Sequence, residues 1–228
     1  MTTPPKYCLF NYDTQQWPFA QVLSRDVFKV PQLHRLHEFV KAKKQRSGKP
    51  PQLTPEDNLI MRSVMQKLPD ESAFYRLYHK FVAQALTNLE ELPLSFSKHP
   101  KMRVHFPDTP SVSSFHTDAA ITHRVDQINL WLPFTDVEDT ATLWVESDYG
   151  LADYQPIPVR YGQALCFDGG YLSHGTQANT TGVTRISLDF RFSIKNAATR
   201  LEGLRLLERA ISRSQSDSQN NPFIPQTS

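Results

Sequence analysis

The chain has 228 residues, of which 39% are apolar, which is enough for a packed core and predicts one globular unit. Lys and Arg number 25 and Asp and Glu 23, so the net charge of +2 argues against nucleic acid as the main partner. Two cysteines, Cys8 and Cys166, are too few for a disulfide scaffold and form no Cys-x-x-Cys motif. No leader-like start and no run of about 18 apolar residues occur, so we expect a cytoplasmic protein that does not bind membranes.

Residues 1–93 carry mostly helical signals and predict a helical part that packs on the rest of the chain. An amphipathic segment runs from Pro31 to about Lys44. The basic cluster from Lys41 to Lys49 is interpreted as a solvated helix end, because cations suit that end of the helix dipole. A site for an anionic ligand is the less favoured alternative.

Two further helices are predicted from caps and apolar spacing. Thr54 and Pro55 are typical of a helix start, and Asp70 is the predicted cap of the helix that follows. Apolar residues recur at helical spacing in the first of them: Ile60, Met61, Val64, Met65 and Leu68. A broader apolar stripe, interpreted as core, follows before Pro93: Phe74, Leu77, Tyr78, Phe81, Val82, Ala85, Leu86 and Leu89.

Residues 94–211 are predicted to form a β-structured core with a short extension. In residues 183–192 the apolar side chains alternate with Arg185, Ser187, Asp189 and Arg191, and two earlier segments show the same pattern. One arrangement that fits is a barrel or sandwich with a polar lining and an apolar outside covered by the helices. A sheet with one solvated face is the alternative. The tail, residues 212–228, is rich in Ser, Gln and Asn and is predicted to be mobile.

His116 and Asp118 stand two residues apart, so on an extended chain both side chains leave the same face and can hold one ion. His174 lies in a segment rich in small residues and supplies a candidate third ligand. Two imidazoles and one carboxylate are typical of non-haem Fe(II) sites that leave open positions. The sequence therefore favours iron over structural zinc.

Arg185 and Ser187 follow on the polar face of the strand at residues 183–192. A buried guanidinium is costly unless it meets an anion, and its fork matches a carboxylate. The pair is interpreted as an anchor for the carboxylate of a co-substrate, and an ion pair with Asp189 is the alternative.

These five residues, in a predicted barrel, resemble the Fe(II)/2-oxoglutarate-dependent oxygenases, and in particular their streptomycin-biosynthesis-type, phytanoyl-CoA-hydroxylase-like branch. The likeness covers roughly residues 94–192. It extends to five further segments: Arg103–Pro107, Ile128–Pro133, Thr142–Ser147, Asp153–Pro156 and Asn179–Arg191.

The resemblance implies a mainly β protein with N-terminal helices and a double-stranded β-helix, the jelly-roll or cupin-like barrel. It implies that His116, Asp118 and His174 hold Fe(II), while Arg185 and Ser187 hold the distal carboxylate of 2-oxoglutarate. Dioxygen is then consumed, succinate and carbon dioxide are released, and a carbon of the substrate is hydroxylated. Because a carboxylate stands at position 118, halogenation is disfavoured.

Four further residues are candidates for contacts in this site. Asn129 and Arg103 lie on polar strand faces from which they can reach the keto acid or the substrate. His123 and Trp131 are candidates for substrate contacts. The chain has Ala120, Ile121 and Thr122 before His123 where the family has other residues, so an aminoglycoside substrate does not follow from the resemblance.

The leading hypothesis is a hydroxylase of a small, polar, amino-acid-like or sugar-like metabolite in a specialised pathway, acting as a monomer or homodimer. The same residues serve desaturation, cyclisation or C–N cleavage. The rivals are a cupin-type metal barrel that needs no keto acid, and a barrel that binds a ligand without turnover.

Overall fold

The computed structural model describes residues 6–87, 94–124, 126–194, 202 and 223–224. These residues form ten strands, which are β1 (Tyr7–Tyr12), β2 (Leu94–Phe96), β3 (Lys101–His105), β4 (Ile128–Pro133), β5 (Leu143–Val145), β6 (Gln155–Ile157), β7 (Gln163–Phe167), β8 (His174–Gly175), β9 (Arg185–Ile194) and β10 (Phe223–Ile224). The α-helices are α1 (Phe19–Val22), α2 (Leu36–Arg46), α3 (Pro55–Gln66), α4 (Ala73–Thr87) and α5 (Asp118–Thr122). A π-helical turn at Leu23–Phe28 continues α1, and 3₁₀ turns lie at Leu33–Arg35 and Asp139–Ala141.

The strands form two antiparallel sheets. The larger has the order β10-β1-β7-β4-β9-β2, with β3 paired to the first half of β9. The smaller has the order β6-β5-β8. The structure is mainly β with helices. Among the described residues neither sheet closes on itself, so the predicted barrel is not confirmed.

The larger sheet has one apolar and one partly polar face, as the alternation in β9 predicts. Ile186, Leu188, Phe190 and Phe192 lie in the main core together with residues of α1 and α4. The opposite face meets the smaller sheet in a second apolar cluster that includes Trp131, Leu143 and Phe167. Residues of the N-terminal helices thus share one core with the apolar face of the larger sheet.

The start of α3 is confirmed, but its buried face differs from the apolar stripe in the sequence. Thr54 accepts a hydrogen bond from the backbone of Asp57, whose carboxylate in turn accepts one from the Thr54 N–H, which is a capping box. Ile60 and Val64 are exposed, by 48% and 40%. The helix instead turns Asn58 inward, where it hydrogen-bonds Thr109 and the backbone N–H of Phe106.

The predicted cap of α4 is wrong by two residues. Ser72 accepts the hydrogen bond from the backbone of Tyr75, and α4 begins at Ala73. Asp70 instead forms ion pairs with Lys98 and His99, which precede β3. These partners are 28 and 29 residues away in the sequence. Local spacing therefore does not show that Asp70 pairs with them instead of capping the helix.

Two features of the larger sheet lie outside the sequence prediction. Strand β1 comes from the part expected to be helical, and it pairs with β7 so that Cys8 lies directly opposite Cys166. Both cysteines are free. The predicted mobile tail at residues 212–228 lies outside the described residues, apart from β10, which pairs with β1.

In the parts of the chain that the structure describes, no helix is both long enough and apolar enough to cross a bilayer.

Candidate metal and anion site

Backbone pairing brings the two predicted histidine ligands together across 58 positions of sequence. The N–H of His116 donates to the carbonyl of His174 at 3.0 Å, and the N–H of His174 donates to the carbonyl of His116 at 2.9 Å. Their ring centroids are 4.7 Å apart. Gly175 makes this approach possible, because a Cβ there would lie 2.8 Å from the Cα of Phe115.

Asp118 joins the histidines from the first turn of α5. Its backbone N–H donates to the carbonyl of Gly169 at 2.8 Å, and its carboxylate accepts from Asn129 Nδ2 and from Arg191, both at 2.6 Å. Burial favours the neutral acid, but His116, His174, Asn129 and Arg191 outweigh it and lower the pKa of Asp118 to about 2. The group is therefore a carboxylate at neutral pH.

The Nδ1 atom of each imidazole faces a backbone carbonyl. His116 Nδ1 faces the carbonyl of Ser114 at 2.7 Å, and His174 Nδ1 faces the carbonyl of Leu172 at 2.9 Å. A carbonyl oxygen only accepts, so each neutral ring carries its proton on Nδ1 and a lone pair on Nε2. Burial lowers the pKa of His174 to about 4, which keeps that ring neutral.

The three side chains together fit a metal ion. One ligand atom from each of His116, Asp118 and His174 lies within 4.8 Å of the others. His116 Nε2 stands 3.4 Å from Asp118 Oδ1, and the hydrogen bond to this carboxylate raises the pKa of the ring. In the metal-free protein a proton on Nε2 can link the two atoms, and a divalent metal held by the Nε2 lone pair and the carboxylate would take the place of that proton.

A cavity of about 430 Å³ opens beside these three residues, within the size range of small-molecule sites. Arg185 lies in its wall with 1% of its surface exposed. Its Nη1 donates to the carbonyls of Ala141 and Thr142 at 3.1 and 3.3 Å. Its Nε has no partner, and no carboxylate of a described residue lies within 4 Å of the guanidinium.

This burial lowers the pKa of Arg185 to about 9, and nearby Arg103 adds to the effect. The alternative of an ion pair with Asp189 is not formed, although both residues line the cavity. The guanidinium thus remains a buried cation without a counter-ion from the described chain, next to a metal-ligand set.

The other predicted residues divide between the cavity and its surroundings. Arg103 and Trp131 line the cavity. Ser187 and Asn129 are fully buried, and Ser187 Oγ and Asn129 Oδ1 find no hydrogen-bond partner among the described residues. His123 is exposed, with a left-handed backbone at the end of α5, and the structure does not bring it to the cavity.

Sequence reasoning assigned no role in the site to three residues that line the cavity. Arg191 binds Asp118, and Asp189 and Lys101 line the cavity beside it. The alternation in β9 places Asp189 and Arg191 on the polar face, but not their contacts. His105 is buried opposite Arg185 in the β3–β9 pairing, and burial lowers its pKa to about 3, so the ring is neutral.

No protein-family model matches the chain. It is 29% identical over 193 residues to the streptomycin biosynthesis protein StrG of Streptomyces griseus, a match that covers 82% of this chain and 84% of that protein. The predicted resemblance to a protein of this type is confirmed.

Solved structures of non-haem metalloproteins are also similar to the chain. The nickel complex of the non-heme monooxygenase ThoJ has a TM-score of 0.53 and 11% identity over 87% of this chain and 77% of that one. HygX from Streptomyces hygroscopicus, solved with nickel and 2-oxoglutarate, has a TM-score of 0.41 and 15% identity over 60% of this chain and 77% of that one. The chain shares its overall fold with ThoJ.

Proposed function

We propose that the protein is an Fe(II)/2-oxoglutarate-dependent dioxygenase that hydroxylates a small polar metabolite and releases succinate and carbon dioxide. One observation carries the proposal. The cavity combines a His-Asp-His ligand set with Arg185, a buried cation for which no described carboxylate is within reach. The ligand set alone suits many metalloproteins, but a counter-ion-free guanidinium beside it calls for an anion that arrives with the metal's co-substrate.

In this assignment His116, Asp118 and His174 hold the iron, and Arg185 with Ser187 binds the distal carboxylate of 2-oxoglutarate. When bound, the iron and the keto acid activate dioxygen for attack on an unactivated carbon. Asn129 and Arg191 keep Asp118 ionised and fix its orientation. The carbonyls of Ser114 and Leu172 hold the imidazoles in the tautomer that leaves Nε2 free.

The cavity walls keep water away from the metal ligands and add positive charge. Trp131, Leu143 and Phe167 form an apolar side that excludes water from the metal ligands. Arg103 extends the cationic side next to Arg185. The likeness to StrG and ThoJ supports the same class, and we assign the two facing sheets to the halves of a double-stranded β-helix.

Arg185 also separates this proposal from its rivals. A cupin-type metal site that uses no keto acid has no need of a buried guanidinium, whose desolvation is costly. The complete His-Asp-His ligand set beside Arg185 weighs against a ligand-binding barrel without turnover.

Succinate release from 2-oxoglutarate tests the proposal. The purified protein is incubated in air with Fe(II), ascorbate and 2-oxoglutarate, next to the His174→Ala variant. The His34→Ala variant is the matched control, because it removes an exposed imidazole that does not line the cavity. We expect succinate from the wild type and the control only, and equal signals from all three would reject the metal assignment.

A further inference from the structure

The cavity keeps a net positive charge even when the charges of the proposed metal and co-substrate are included. Four cationic side chains line it, Lys101, Arg103, Arg185 and Arg191, against the carboxylates of Asp118 and Asp189. A ferrous ion and a 2-oxoglutarate dianion cancel each other. A surplus of two positive charges therefore remains when both are bound.

The surplus lies on strand β3, on two side chains without a counter-ion. Arg191 is held by Asp118 at 2.6 Å, and Asp189 lies 3.9 Å from it. No ion pair within 4 Å joins Lys101 or Arg103 to a carboxylate in the residues that the structure describes. Within the described parts of the chain, Arg103 donates only to the carbonyl of Met102, its own neighbour in the strand.

Burial and neighbouring positive charges both disfavour the charged forms of Lys101 and Arg103. Burial and the nearby Arg62 lower the pKa of Arg103, and burial and Arg191 lower that of Lys101. Asp189 acts in the opposite direction on both but does not outweigh these effects. Like charges held together in a concave wall attract anionic ligands and favour their binding.

Depth in the cavity separates this pair from the proposed anchor of the co-substrate. Arg185 is 1% exposed, Arg103 is half-buried and Lys101 is exposed at the mouth. In the β3–β9 pairing, His105 lies opposite Arg185, Arg103 opposite Ser187 and Lys101 opposite Asp189, so the three layers run outward from the anchor. A ligand that enters after the keto acid meets the two outer cations.

We propose that Lys101 and Arg103 form a subsite for a dianionic phosphate monoester on the primary substrate, which makes the substrate a small phosphorylated metabolite. This inference rests on the proposed function, because the substrate would bind beside the iron and 2-oxoglutarate. A phosphate monoester carries about two negative charges at neutral pH and matches the surplus, whereas a carboxylate leaves one charge unbalanced.

Calorimetric titration of the full-length protein, loaded with Fe(II) and 2-oxoglutarate under nitrogen, tests the subsite. The probes are glycerol phosphate, glycerol and acetate, each with a protein-free blank. We expect glycerol phosphate to bind, glycerol not to bind, and acetate to bind at least tenfold more weakly than the phosphate. Lys101→Met and Arg103→Met should each weaken phosphate binding roughly ten- to a hundredfold, as loss of a hydrogen bond between charged groups does. Lys43→Met, on the exposed end of α2, is the matched control and should bind as the wild type does.

Three results with the phosphate probe would overturn the subsite. They are equal binding of glycerol phosphate and glycerol, undiminished phosphate binding by both variants, and competition between phosphate and 2-oxoglutarate. A loss of 2-oxoglutarate affinity in Arg103→Met would assign Arg103 to the co-substrate and also reject it.

Failure of the proposed function gives a different pattern. The wild type would then bind no 2-oxoglutarate with Fe(II). Titration of the metal-free protein with glycerol phosphate would still measure binding at Lys101 and Arg103. Arg185→Met distinguishes the two anchors in that case, since it removes phosphate binding at the deep guanidinium and leaves binding at Lys101 and Arg103 intact.

Discussion

Replacement of Arg185 by Met should separate co-substrate binding from folding. Methionine keeps much of the side-chain length and removes the charge, so the expected loss is that of a buried, hydrogen-bonded anion contact. Removal of one partner of such a pair costs about 2 to 5 kcal/mol, or roughly 30- to 4,000-fold in Kd. Fe(II) affinity should change little, because no atom of Arg185 belongs to the ligand set.

Stability should respond differently from affinity. The guanidinium has no described carboxylate partner, and its two hydrogen bonds to the carbonyls of Ala141 and Thr142 are offset by the cost of its burial. We therefore expect the free energy of unfolding of the metal-free protein to stay within about 1 kcal/mol of the wild type. A residue that served as a structural ion pair would cost about 3 to 5 kcal/mol on removal.

The assay combines an anaerobic titration of 2-oxoglutarate into the Fe(II)-loaded protein with urea unfolding of the metal-free protein. Arg25→Met, at an exposed pair with Asp26, is the control for loss of a cation. Unchanged 2-oxoglutarate affinity, or a loss of about 3 kcal/mol or more in the free energy of unfolding, would contradict the role of Arg185 as an anchor for the co-substrate.

Three further changes give distinct outcomes. Asn129→Ala should weaken Fe(II) binding about 10- to 100-fold in a metal titration, because it removes a hydrogen bond that orients Asp118. An Fe(II) affinity equal to that of the wild type would contradict this role of Asn129. Gly175→Ala should lower both stability and metal affinity, since its Cβ would lie 2.8 Å from the Phe115 backbone; a melting temperature within a degree of the wild type would contradict this close approach. Asp57→Asn should lower the free energy of unfolding at pH 7 by about 1 kcal/mol through loss of the cap, and chemical unfolding at several pH values measures this. Burial opposes the effect, but the Lys44 ammonium and the Thr54 hydrogen bonds keep the pKa of folded Asp57 below its ordinary value. The contribution is therefore present above the unfolded pKa and lost as the pH falls through the folded one, so a difference that persists at the lowest pH would contradict the assignment.

The ligand set and the anchor could be predicted because their signals are local. His116 and Asp118 are two residues apart, and the alternation in β9 puts Arg185 on the polar face. The sheet with one apolar face follows from the same alternation. The small residues around His174 made it the candidate third ligand, and the resemblance to a family supported its link to the other two.

Contacts between distant parts of the chain could not be predicted in this way. Asn58 turns α3 because it bonds Phe106 and Thr109, about 50 residues away, and this exposes Ile60 and Val64. Arg191 binds Asp118 across 73 positions. The spacing of apolar residues does not predict such contacts. It shows which face of a helix or strand is apolar, but not which part of the chain packs against that face.

A crystal soaked without oxygen in Fe(II) and 2-oxoglutarate tests the central claim most directly. We expect one metal ion bound by His116, Asp118 and His174, with the distal carboxylate of the keto acid on Arg185. A metal ion bound elsewhere, or a keto acid that does not contact Arg185, would contradict it.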